Sequence, residues 1–480
     1  MSAENVFFTP IDRICQGDVA TCCPDQPLIE VAELMRARNI SSVVVQERKE
    51  PIGIITDRDL RNKVVAAGLD PRQVLAREVM SSPLVTIREN GYLFEALYLM
   101  SRRRIHRLGV VDGEGRLQGI VTDTDALRLH SRSPQQLMKA IEEAETPAEL
   151  ATLRREMEQL VLHLHGTGVA TADLVQTVAL LNDRLLIRLI EIVRAARYPD
   201  LTDRFAFLVL GSEGRREQTL ATDQDNAIVY ADDLSEPELR QLESFSLDLI
   251  DNLIATGLPA CPGGIMAKNP EWRRSLSEWQ QVLDKWLRTP TPAHILAGSM
   301  FFDLRTLYGD PLLEQHLKAD IIAKLKGNNL FLVHSAANAV SFCPPLGWFG
   351  GIKGERRGPY RGCIEIKKAG VFAITEGLKA MALQAGISEG RTHERVRGLQ
   401  QAGILEGRQA ESLLAAFDVL IGLRLRAQLL AVERGSVPNN YLPLAHLNRI
   451  ELGRLRLALE EVRHFQNFLR HRFHLHQLNR

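Results

Sequence analysis

Residues 28–60 and 93–127 repeat one another in order and spacing. In the first copy Leu28, Val31, Leu34 and Met35 form the apolar stripe of an amphipathic helix. Two apolar runs follow, and the copy closes on GIITDRDL. In the second copy Leu93, Ala96, Leu97 and Met100 form the stripe, two apolar runs follow, and the close is GIVTDTDAL. Gly53 returns as Gly119 and Thr56 as Thr122, both 66 residues on. Ile40 returns as Ile105 after 65, so the second copy carries one extra residue in its VDGEGR hairpin. A unit of this size cannot cover its own apolar face, and packing against its twin does so.

Each copy ends a strand in Thr-x-x-Asp: Thr56 and Asp59, then Thr122 and Asp125. Read from the residues alone, Thr and Asp at these positions would cap the helices that follow. These ends resemble those of a pair of CBS domains. The resemblance implies an adenine nucleotide as regulatory ligand, with Asp on the ribose and Thr on a phosphate, and a homodimer formed through the pair. Arg102, Arg103, Arg104, His106 and Arg107 precede the second sheet, as phosphate contacts or as a solvated helix end.

A second stretch organises the rest of the chain: FAFLVLGSEGRREQTLATDQDNAIVY, Phe205 to Tyr230. Phe205 to Leu210 has the length and composition of a buried strand. Gly211-Ser212 breaks it, and Ser212 is placed to cap a helix whose first turns carry Glu213 and Glu217. A further strand follows, with Asp223 and Asp225 at its start. Residues two apart on a strand share a side, so two carboxylates facing a helix N-terminus suggest a place for a divalent metal and a phosphate.

This combination resembles the nucleotidyltransferase superfamily, closest to the branch related to the uridylyltransferases of nitrogen signalling. The resemblance implies transfer of a nucleoside monophosphate from a nucleoside triphosphate (NTP) to a protein or small-molecule acceptor. Asp223 and Asp225 would hold Mg²⁺ as catalytic residues, and Gly211, Ser212, Gly214 and Arg215 would hold the β- and γ-phosphates. A third carboxylate often lies on a later strand in this superfamily. CPGGIMA, at 261–267, carries no acid, so Asp303 is the best candidate, with an ion pair to Arg305 as the alternative. Arg216 departs from the pattern, since relatives commonly have a small residue there. The same residues also fit a regulatory protein that senses nucleotides and no longer catalyses.

Composition sets the outer limits. With 480 residues, two to four domains are expected. Lys plus Arg and Asp plus Glu both number 59, so no net field favours nucleic acid. Residues 327–352 lack Asp, Glu, Lys and Arg, but their Asn, His and Pro argue against a membrane span. They read as a buried helix and a turn-rich loop. The N-terminus lacks the basic-then-apolar order of a signal peptide. Six cysteines with no C-x-x-C pair indicate reduced thiols in a cytoplasmic protein and no structural zinc site.

Apolar stripes at Leu153, Met157, Leu160 and Leu164, and from Leu174 to Leu189, read as packing helices. Beyond about 330 the pattern is again helical. Its one chemically rich stretch, 353–380, sets Arg356, Arg357, Arg361 and Lys367 among glycines, as a phosphate or substrate contact or as a solvated basic loop. This half resembles the substrate-binding helical domain paired with such transferases. The expected fold class is multidomain α+β and α. A CBS pair (1–135) leads through a helical connector (136–200) to a nucleotidyltransferase-type mixed sheet (201–325) and a C-terminal helical bundle (326–480).

Overall fold

The computed structural model describes residues 10–15, 17, 19–48, 50–125, 133–166, 169–221, 223–326, 329–347, 351–388 and 390–477. It divides into two compact units, 1–133 and 134–480.

The repeat of the first unit is written into its hydrogen bonding. β1 (Thr21–Cys22) runs parallel to β2 (Ser42–Glu47), and β2 is antiparallel to β3 (Glu50–Thr56). β4 (Thr86–Arg88), β5 (Arg107–Val111) and β6 (Leu117–Thr122) repeat that order. The helices α1 (Leu28–Arg38) and α2 (Leu93–Arg103) bury the expected stripes, Leu28, Val31 and Met35 in one and Leu93, Ala96 and Met100 in the other. Both end on a left-handed residue, Asn39 and Arg104, which turns the chain into the next strand.

Three helices open the second unit: α3 (Pro134–Glu143), α4 (Pro147–Gly166) and α5 (Thr171–Arg197). A four-stranded sheet follows in the order β10-β7-β8-β9. Its strands are β7 (Phe205–Val209), β8 (Asn226–Tyr230), β9 (Arg273–Ser275) and β10 (Arg305–Gly309). β7 is antiparallel to both neighbours, and β9 is parallel to β8. Every residue of β7 is buried, as its unbroken apolar run requires. Between β7 and β8 lies the single turn α6 (Gly211–Gly214). α7 (Glu236–Ala255), α8 (Leu276–Arg288) and α9 (Pro292–Phe301) pack around the sheet, and Trp279 Nε1 donates to Ile228 O at 3.0 Å.

α10 (Pro311–Leu325) and α11 (Leu330–Ala339) lead to the strand pair β11 (Cys363–Glu365) and β12 (Tyr441–Pro443). α12 (Phe372–Gln384), α13 (Thr392–Gln401), α14 (Gly407–Glu433) and α15 (Arg449–Arg472) complete the helical region. One apolar core runs without interruption from Leu137 through β7 to Leu475. Among the described residues no helix is long and apolar enough to cross a membrane.

Candidate active site

The signature stretch folds differently from a capped helix followed by a strand. Leu210 precedes α6, and the turn has no side-chain cap, so Ser212 lies inside the turn and does not cap it. A turn of four residues supplies no sustained helix dipole. Gly211 takes φ 53°, the left-handed region, and a Cβ there would crowd Met300 Cε at 2.7 Å, with Asp225 Oδ2 at an ordinary 3.6 Å. A Cβ on Gly214 would meet Asp303 O at 1.7 Å, so the turn is pressed directly onto the 303 backbone.

Asp223 and Asp225 stand in the extended run before β8, not within it. Gln224 forms a parallel bridge with Ala260 and donates through Nε2 to Leu258 O at 3.2 Å. Asn226 Oδ1 accepts from Ala267 N at 2.8 Å. Gln224 and Asn226 are thus buried and lock the 258–267 loop, which leaves the alternating positions Asp223 and Asp225 on the more open side.

Burial, with Asp223 beside it, pushes the Asp225 carboxyl up to about 6, although the Cys261 thiol donates to it and Lys367 lies close. Cys261 is itself pushed up to about 11, by burial and by Asp225. Burial and the nearby Arg424 pull Lys367 down, while Asp225 and Asp223 work against that fall. Burial and Arg215 bring Arg424 down to about 10. Arg424 donates to Ala221 O at 3.1 Å and Asn440 Oδ1 at 2.8 Å, which holds its charge near Asp223. Two carboxylates and two cations therefore share this corner of the sheet.

Asp303 belongs to a different cluster. Its side chain is fully buried, and it meets Lys379 at 2.8 Å and Arg395 at 2.6 Å, with Arg215 as the third cation. Burial alone would raise its pKa; Lys379, Arg215 and Arg395 together hold it well below the carboxylate range. A carboxylate so enclosed has no face left for a metal beside Asp225. The alternative pair with Arg305 does not form either: Arg305 binds Asp183 at 2.7 Å, and Arg216 reaches the same carboxylate at 3.2 Å. Arg215 is likewise unsuited to phosphate, since its guanidinium is buried on Asp303 and on Glu217 at 2.8 Å.

Of the basic stretch, only Lys367 is brought to the carboxylates. Arg356, Arg357 and Arg361 are exposed and form no ion pair among the described residues. Sequence reasoning missed Cys261, Arg424 and Glu213. Glu213 is buried and pushed up to about 8, by burial and then by Asp183 and Asp225. No local pattern points to Arg424, because it arrives from α14, 203 residues beyond Ala221.

In the first unit both Thr-x-x-Asp ends form reciprocal caps. Asp59 Oδ2 accepts from Thr56 N at 3.0 Å and Thr56 Oγ1 at 2.7 Å, and its Oδ1 accepts from Ser81 at 3.0 Å and meets Lys63 at 2.8 Å. Burial would raise Asp59; Lys63, Thr56 and Ser81 hold it lowered. Asp125 Oδ2 accepts from Thr122 N at 3.0 Å and Thr122 Oγ1 at 2.6 Å. Within each box the Asp fixes the orientation of its Thr.

Comparison with known proteins agrees with this architecture. The family described as "CBS domain" matches residues 11–66 and 76–132. "Putative nucleotidyltransferase DUF294" matches 155–293, and "Putative nucleotidyltransferase substrate binding domain" matches 329–473. An uncharacterized protein of Methanopyrus kandleri is 45% identical over 120 residues, 25% of this chain and 61% of that protein. The CBS domain-containing protein YhcV of Bacillus subtilis is 40% identical over 103 residues, 22% of this chain and 72% of that protein. A solved CBS-domain containing protein of Agrobacterium tumefaciens is 27% identical, with a TM-score of 0.24, covering 25% of this chain and 99% of that one. The chain belongs to the CBS-domain proteins, and it joins the CBS pair to a nucleotidyltransferase-family domain and its substrate-binding partner. It spans about three fifths of the Methanopyrus relative's length.

Proposed function

We propose that this chain is a signalling enzyme that transfers a nucleoside monophosphate from an NTP to an acceptor, under control of an adenine nucleotide sensed by its CBS pair. The observation that carries the reading is the corner where Asp223 and Asp225 face Lys367 and Arg424 beside Gly211. A carboxylate held up to about 6, with no ion pair of its own among the described residues, is an electrostatic vacancy for a cation. Asp223 and Asp225 would hold Mg²⁺ there, and phosphate oxygens would complete the ligand shell, since among the described residues no three metal-ligating side chains converge. The bound ion would neutralise charge on the triphosphate.

The chain's own contribution is positioning. Lys367 and Arg424 set positive charge opposite the carboxylates, where the phosphates would lie. Gly211 supplies the left-handed turn beside Asp225. Asp303 and Arg215 form the rigid floor beneath the turn and take no part in bonding to substrate. The acceptor oxygen forms a bond to the α-phosphorus as the bond from that phosphorus to the bridging oxygen breaks, and pyrophosphate leaves. In the CBS pair, Asp59 and Asp125 would accept from ribose hydroxyls.

A second reading, a nucleotide-sensing regulator without catalysis, draws support from one observation: the candidate third carboxylate, Asp303, is enclosed by three cations. Pyrophosphate release from ATP, UTP, CTP and GTP by the full chain with Mg²⁺ separates the two. The transferase reading expects release with at least one NTP, and its loss in Asp225→Asn with nucleotide binding to the CBS pair intact. Nucleotide binding without release from any of the four would favour the regulator.

A further inference from the structure

A cavity of about 480 Å³ is bordered by the signature loop but by none of Asp223, Asp225, Lys367 and Arg424. Its walls come from the start of α5, from Arg216 and Glu217 of the loop, from the start of α13 and from the facing turns of α14 and α15. On α14, Gly422 and Arg426 line the cavity, whereas Arg424 reaches toward Ala221 and lies outside the lining.

The lining has two chemical characters. Val175, Phe417, Val419, Ile421 and Leu423 make one apolar wall. Arg216, Arg391, Arg426 and Arg454 bring four guanidinium groups to the other. Arg426 is paired with Glu451, and Arg216 spends one nitrogen on Asp183. Arg391 and Arg454 have no ion-pair partner among the described residues, although both border a partly enclosed space. The carboxylates that line it are committed elsewhere: Glu217 to Arg215 and Thr392, Asp418 to His393 at 3.1 Å, Glu451 to Arg426. The cavity is therefore positively biased on one side and apolar on the other, and its size suits a single small organic molecule.

We infer that this cavity binds a small organic anion, a phosphate or carboxylate carried on an apolar or aromatic body, with Arg391 and Arg454 on the anion and Phe417 against the body. Planar guanidinium groups match such anions bidentately. The site also touches the transferase framework. Thr392, between the cavity residues Arg391 and His393, donates through N and Oγ1 to Glu217 at 2.5 and 3.0 Å, and Glu217 binds Arg215, which holds Asp303. An occupant that fixes Arg391 would stiffen this chain of contacts, and so act as an effector from outside the active corner.

The test titrates the full chain with phenyl phosphate by calorimetry, with inorganic phosphate and phenol as the two separated halves of the probe. Binding of phenyl phosphate tighter than either half is expected. Arg454→Ala, at an exposed position, and Arg391→Ala should each weaken it about tenfold to a hundredfold, and Arg391→Lys should restore part of the loss. Gly422→Phe should block it, since a Cβ there meets only Thr171, at 3.5 Å, and the ring would project into the space. Asp225→Asn should leave it unchanged, which keeps the result independent of catalysis. Equal affinities in wild type, Arg391→Ala and Arg454→Ala would overturn the assignment, as would equal binding of phosphate and phenyl phosphate.

Discussion

Asp225 and Asp303 are both acids in the transferase half, yet their surroundings give them opposite thermodynamic signs. Asp225 titrates near 6 in the fold, above its ordinary 3.8. The folded state therefore holds its proton more tightly than the unfolded chain does. The associated stability is fully present below about pH 4 and is lost as pH rises through about 6. Asp225→Asn removes that cost, so at pH 7.5 the variant should be more stable than wild type by about 1–3 kcal/mol. The gap should close toward pH 4, as urea unfolding at the two pH values would read. Mg²⁺ should raise the melting temperature of the wild type and leave the variant where it is. Asp303 is lowered, so its stabilisation is present at neutral pH and is lost on acidification. Asp303→Asn leaves Lys379, Arg215 and Arg395 facing a neutral group in a dry interior and should cost about 3–5 kcal/mol. A buried carboxylate without an ion pair of its own destabilises the fold at neutral pH; one that already has its partners does not.

At the scale of elements, α6 shows how little a signature reveals about the reason for its glycines. Gly214 matches a phosphate-cradle pattern, but its Cβ position collides with the Asp303 carbonyl, so the constraint is packing. Gly214→Ala should lose about 1–3 kcal/mol, toward the upper end because the obstacle is backbone. Measured by urea unfolding, a variant as stable as wild type would show that the turn can lift off the 303 segment. Elements governed by periodicity were legible in the sequence: the repeated CBS sheets, the stripes of α4 and α5, and the buried β7. The alternation that singles out Asp223 and Asp225 was legible too. What escaped is contact between distant segments. Arg215 and Arg395 lie 88 and 92 residues from Asp303, and Thr392 lies 175 from Glu217. Charge at those separations has no register in a linear pattern, so Asp303 read as a ligand when its cations were already assigned by the fold.

For the molecule as a whole, the continuous core from Leu137 to Leu475 means that the transferase sheet is not finished by its own segment. The Asp303 cluster draws Lys379 and Arg395 from α12 and α13, and Gln428 of α14 accepts from Ala221 N at 3.3 Å. A fragment of residues 134–326 should show no cooperative thermal transition. Residues 134–480 should unfold in one transition by calorimetry. Two separate transitions in the longer fragment would show that the helical region folds apart from the sheet. The cluster around Asp303 also sets where genes of this kind can recombine. A crossover near residue 133 exchanges one CBS pair for another and leaves the buried charges of the second unit matched. A crossover between 215 and 395 joins an acid from one lineage to cations from another, and wherever the two lineages differ at these positions its product inherits an uncompensated charge in the interior. CBS pairs can therefore be traded among descendants, while the sheet and its helices are best passed on together.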